Sequence, residues 1–146
     1  MTGKVKKLFI TQNDTNKTRT TVEKIDVDNF GIKYDKFYKK DSMRAILITA
    51  TDSYTLADAN NIDIQAGALG ENILIDINPY SLLQGDKIQI GDTILEITQN
   101  CTLCQGLSKV NSKLPKLLKN DRGIFAKYLE GNSEILLGAS VKFITN

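Results

Sequence analysis

The chain contains no histidine and no tryptophan, and only two cysteines and two prolines. The missing imidazole removes Ser-His-Asp and Cys-His nucleophiles outright. It also removes most zinc chemistry. A structural zinc takes four N or S ligands, and two cysteines leave the remaining places to carboxylates or to a second copy of the chain. No stretch approaches the roughly 18 apolar residues of a membrane-spanning helix. The N-terminus, MTGKVKKLFITQND, carries lysines but neither a long apolar region nor a small-residue cleavage site. That predicts no secretory signal and no membrane, hence a cytoplasmic protein whose thiols stay reduced.

Charge of one sign is scarce as well, with a net of only +2. The excess of Lys and Arg in the first 44 residues is interleaved with acids and aromatics, as in YDKFYKKD, and reads as a solvated face. No nucleic-acid partner is expected from it. Neither Pro79 nor Pro115 lies in a linker-like run, and there is no repeat or low-complexity segment. A chain of 146 residues buries a real core without staples, so residues 1–146 are expected to form one domain.

What the sequence does have is short apolar strands. KVKKLFIT reads as a first strand, and TTVEKIDVD as a strand with a one-residue slip. RAILITA is a continuous apolar run suited to burial on both faces. ATDSYTLADANNI predicts a short helix with Thr51, Asp52 and Ser53 as cap candidates. ENILIDI is a further strand, and DKIQIGDTILEITQ a hairpin turning at Gly91-Asp92. SKLPKLLKN predicts a helical turn entered near Pro115, and GIFAKYLEGNSEILLGASVKFIT two or three closing strands. The class is mostly β, a barrel or sandwich with a few short peripheral helices. The expected core comprises Ile46, Ile48, Ile73, Ile75, Ile88, Ile90, Ile94, Ile97, Ile124, Phe125 and Val141.

Both cysteines fall in TQNCTLCQGL, as Cys101 and Cys104. Burial as small hydrophobes, a Cys-x-x-Cys redox pair and a single reactive thiol are all open, although the usual βαβ context of the redox pair is missing. A helix capped by Asn100 would place both thiols in its first turn, where N–H groups stabilise a thiolate.

Read together, GALGENILID, GDKIQIGDTILEITQ, the cysteine segment and RGIFAKYLEG resemble, in order and spacing, the MOSC domain, named for the C-terminal domain of molybdenum cofactor sulfurase. The resemblance runs from Gly67 to Phe143 and is to the small stand-alone bacterial members. It implies a closed or partly open β-barrel. It matches Cys104 to a family cysteine thought to carry sulfur as a persulfide, with Cys101 as an extra. It further implies a cysteine desulfurase, a pyridoxal-phosphate-dependent enzyme, or another sulfur donor. A molybdenum-cofactor protein is the implied acceptor, and a molybdopterin-type cofactor the implied ligand. Glu71, Asn72, Gln99 and Arg122 are the side chains expected around that cofactor, with Cys104 at the mouth of a pocket shared with Gln99, Asn72 and Arg122; a Glu71 that caps or pairs at its loop and an Arg122 on the plain surface are the alternatives. Gly67, Gly70, Gly91 and Gly123 are expected to serve turns. The upstream Gly-Asp-x-His-like stretch of related proteins has only GIKYDKFYKK as a counterpart, without histidine. Two functions follow: sulfur transfer through Cys104, or a non-catalytic module binding an anionic pterin-type cofactor or a protein partner.

Overall fold

A computed structural model describes residues 2–16, 18–101 and 107–145. The elements in chain order are β1 (Thr2–Thr11), β2 (Arg19–Val22), β3 (Lys24–Asp28), β4 (Gly31–Ile32), β5 (Ile46–Ala50) and α1 (Thr51–Ala59). They continue with β6 (Ile73–Ile75), β7 (Lys87–Ile90), β8 (Thr93–Asn100), α2 (Leu107–Val110), α3 (Leu114–Leu117), β9 (Ile124–Gly131), β10 (Glu134–Leu136) and β11 (Ser140–Ile144).

Seven strands close into a mixed barrel in the order β1-β11-β7-β8-β9-β5-β6, with β6 returning to β1. The slip in TTVEKIDVD is a break: β2 extends the sheet beyond β1, while β3 joins β10 and β4 in a small second sheet. Only the β5–β6 pair is parallel among those described, and the chain between them carries α1. All five residues of β5 are buried, as the apolar run predicts.

Antiparallel partners point to the same face, so register decides which side chains fill the barrel. Ile88 faces Leu95 and Gln89 faces Ile94. Leu95 and Ile97 are therefore buried while Ile94 is half-buried, which corrects its expected place in the core. The other ten expected core residues are buried. Phe125 lies outside the barrel interior, in a small cluster with Leu47 and Cys101. A satellite core of Ala57, Ile62, Leu69, Leu107, Leu114 and Leu118 packs beneath the helices.

Two local expectations change. The residue capping α1 is Ala50, because β5 runs straight into the helix, and no side chain caps it. Ser53 is buried instead, against the Tyr80 hydroxyl and the Asp121 carbonyl. Asn100 ends β8 and the Cys101 N–H donates to the Gly123 carbonyl at 3.0 Å, while the helical turn expected after Asn100 falls outside the described residues. Pro115 does stand in the first turn of α3. Among the described residues no helix is long and apolar enough to cross a membrane.

Candidate functional site

A pocket of about 430 Å³ opens where five parts of the chain meet. Phe37, Lys40, Asp41 and Arg44 come from the connection between β4 and β5, and Gly70 and Asn72 from the turn before β6. Leu47 of β5, Cys101 after β8, and Arg122 with Phe125 at the start of β9 complete it. Leu47 and Phe125 pair across β5 and β9, and with Cys101 they make an apolar floor. The Arg44 guanidinium lies 5.3 Å from the centre of the Phe125 ring, a cation–π contact at the rim.

Lys40, Arg44 and Arg122 outnumber the one carboxylate, Asp41, so the wall favours an anion. Arg122 is held at both ends. Its Nη2 donates to the Leu69 carbonyl at 3.3 Å. Its own carbonyl accepts the Thr49 hydroxyl at 3.1 Å and the Tyr80 hydroxyl at 3.4 Å. Burial pushes Tyr80 up to about 12, so it stays a neutral donor near neutral pH. Gly70 has φ +86°, and a Cβ there would meet Arg122 Nη2 at 4.0 Å, so the turn approaches the guanidinium with nothing in between.

The turn sends its two polar residues in different directions. Asn72 reaches the pocket wall, yet its amide is committed to the fold. Its Oδ1 accepts the Leu47 N–H at 3.0 Å, and its Nδ2 donates to the Phe9 carbonyl at 3.2 Å and to Asp35 Oδ1 at 3.3 Å. Glu71 is 0% exposed and is not among the pocket's walls. Its Oε2 accepts the Tyr54 hydroxyl at 2.6 Å and the Gly67 N–H at 3.2 Å. Arg19 closes this buried cluster, donating to the Thr11 hydroxyl at 2.9 Å, the Gly67 carbonyl at 3.4 Å and the Glu71 carbonyl. Burial raises the Glu71 carboxyl and the Tyr54 hydroxyl, and lowers Arg19.

Of the residues expected at the site, Asn72 and Arg122 meet in the pocket. Gln99 is exposed near the end of β8 and is not among its walls, and Glu71 lies behind it. Cys104 lies outside the described residues, whereas Cys101, read as an extra, is part of the floor. The sequence reading did not single out Phe37, Lys40, Asp41 or Arg44. Three of them belong to the stretch read as a solvated face, and only the long-range packing of that connection reveals them. No cluster suited to a metal ion occurs among the described residues.

The sequence matches the MOSC domain family over residues 15–144, further upstream than the motifs alone reach. No curated protein matches the chain in sequence. Among solved structures, the YuaD protein from Bacillus subtilis superposes with TM-score 0.82 at 18% identity, covering 100% of this chain and 97% of that one. YiiM from Escherichia coli gives 0.72 at 15% identity, over 98% of this chain and 70% of that one. YiiM from Geobacillus stearothermophilus gives 0.71 at 16% identity, over 99% and 75%. At these identities the likeness establishes the fold.

Proposed function

The chain belongs to the MOSC domain family, and from that premise we propose that it handles sulfur in molybdenum-cofactor metabolism, carrying it as a persulfide on Cys104. The observation that supports this most is the pocket itself. Three cationic side chains, Lys40, Arg44 and Arg122, surround an apolar floor, and the cysteine segment leaves the barrel from that floor at Cys101. A chain without histidine has to stabilise a thiolate through cations and N–H groups, and this wall supplies cations.

In the transfer step, the Cys104 thiolate attacks the outer sulfur of a donor persulfide. A new S–S bond forms to Cys104, the donor's S–S bond breaks, and the donor leaves as a thiolate. No net oxidation or reduction is required. The same cations suit the phosphate of a pterin-type cofactor, with Leu47 and Phe125 beneath its flat part. A bound molybdenum cofactor would supply the acceptor for the sulfur.

Intact-mass measurement after incubation with a cysteine desulfurase and cysteine tests the proposal. The expected result is a gain of one sulfur that is lost on reduction, persists in Cys101→Ala and disappears in Cys104→Ala. No gain, or a gain that survives in Cys104→Ala, overturns it. The cationic wall also favours a second reading without covalent chemistry, a module that holds an anionic cofactor. Two inert cysteines together with saturable binding of a pterin phosphate would support that reading instead.

A further inference from the structure

The connection from Phe30 to Arg44 carries more exposed aromatic surface than its fold requires. Phe30 is 52% exposed, Tyr34 78% and Phe37 47%. Lysines stand among them: Lys36 Nζ is 4.7 Å from the Phe37 ring centre, and Lys39 Nζ is 5.5 Å from Phe30 and 5.7 Å from Tyr38.

The acids of this region accept from the connection itself, Asp35 buried, Asp28 half-buried and Asp41 exposed. Asp28 accepts the Phe30 N–H at 2.8 Å and the Tyr38 hydroxyl at 2.5 Å. Asp35, itself buried, accepts the Thr11 N–H at 2.7 Å and the Phe37 N–H at 3.0 Å. Asp41 accepts the Met43 N–H at 3.0 Å. Neither ion pair found among the described residues involves Lys33, Lys36, Lys39 or Lys40. The carboxylates brace the backbone of the connection, while Lys33, Lys39 and Lys40 are exposed and Lys36 is half-buried.

Tyr34 adds an independent observation. It has φ +73°, a left-handed conformation that glycine or asparagine adopts at less cost, and its ring is the most exposed large apolar side chain described. A bulky ring in that conformation is explained by a contact outside the chain better than by folding.

We infer that the surface formed by Phe30, Tyr34, Phe37, Lys36 and Lys39 docks an acidic, apolar-bearing face of a partner protein beside the pocket. Charge complementarity selects an acidic partner, and the rings supply the anchors that dominate protein interfaces. The chain's net charge of only +2 is too small for a nucleic-acid groove, so a protein is the occupant the surface favours. Phe37 and Lys40 belong both to this connection and to the pocket wall, so a docked protein reaches the pocket, whereas a flat bilayer would seal it. The inference has no sulfur step in it and stands or falls separately from persulfide transfer.

Fluorescence anisotropy with a labelled Glu/Leu-rich peptide tests it on the full chain. Binding that weakens as salt is raised is expected. Lys36→Glu/Lys39→Glu should weaken it about tenfold or more. Tyr34→Asn should weaken it about fivefold while the melting temperature holds or rises, because asparagine accepts the left-handed conformation. Lys4→Glu/Lys142→Glu changes the net charge equally at the end of β1 remote from Thr11, and should alter binding by less than about twofold. An equal loss in that control, no effect of Tyr34→Asn, or preference for an oligothymidine strand or a phosphatidylserine vesicle over the peptide would each overturn the inference.

Discussion

The two faces of the turn from Gly67 to Asn72 each carry an arginine, and the two arginines have different surroundings. Behind the turn, the Arg19 guanidinium is directed at a hydroxyl and two backbone carbonyls, beside a buried carboxyl and the Phe9 ring. In front, Arg122 donates to the Leu69 carbonyl and lines the pocket with Lys40 and Arg44. The rear face is closed within the fold, and the front face opens on the pocket. Residue type does not distinguish them. What does is where each lies, Arg19 beside the buried Glu71 carboxyl and Arg122 along the pocket.

Asn72 is the residue that breaks this division, since it lines the pocket and yet bonds within the fold. Asn72→Ala should cost about 3 kcal/mol in urea denaturation, because the Leu47 N–H and the Phe9 carbonyl lose buried partners. A loss below about 1 kcal/mol would move Asn72 to the pocket side of the comparison. Arg19→Met, which keeps most of the volume, should cost about 2 kcal/mol for the carbonyls it abandons, with thiol alkylation unchanged.

The rear face should also be visible in the pH dependence of stability. Burial holds the Glu71 carboxyl above its ordinary value of 4.5. Between that value and the higher folded value, the folded chain keeps a proton that the unfolded chain sheds. The contribution of Glu71 to stability is therefore fully present below about 4.5 and declines as pH rises through the folded value. Glu71→Gln should flatten that decline in denaturation curves measured across the acid-to-neutral range. A slope unchanged by the substitution would remove Glu71 as its source.

The front face should show the opposite pattern. Arg122→Ala should slow alkylation of Cys104 near neutral pH about tenfold, whereas Arg19→Met leaves it unchanged. Intact-mass time courses read this directly. Gln99→Ala, exposed and outside both faces, should stay within about 0.5 kcal/mol and leave alkylation alone.

Most of the barrel was legible because strand periodicity is a local signal. RAILITA, KIQI and the closing strands stand where alternation and apolar runs predict them. Ile94 was misassigned because two adjacent apolar residues leave the inward face undecided until the partner strand sets the register. The site was legible only in part. GEN and RG do come together at Asn72 and Arg122, but no local pattern shows that the turn sends Glu71 to its other side, where it is buried. Lys40, Arg44 and Phe37 were hidden because their place depends on Asp35 bonding to Thr11 and Asn72, partners far off in the chain.

The pairing of β1 with β11 has a consequence for how the molecule comes into being. These are the first and last strands described, and they are adjacent in the closed wall. During synthesis the Thr2–Lys4 edge emerges before its partner Ser140–Lys142, so ring closure waits until β11 has been made. Until then the growing chain exposes unpaired backbone along two rims, the condition under which β proteins associate wrongly. A chain stopped before Ser140 should therefore accumulate as aggregate rather than as a slightly shorter barrel, a result that fractionation of the expressed fragment would reveal.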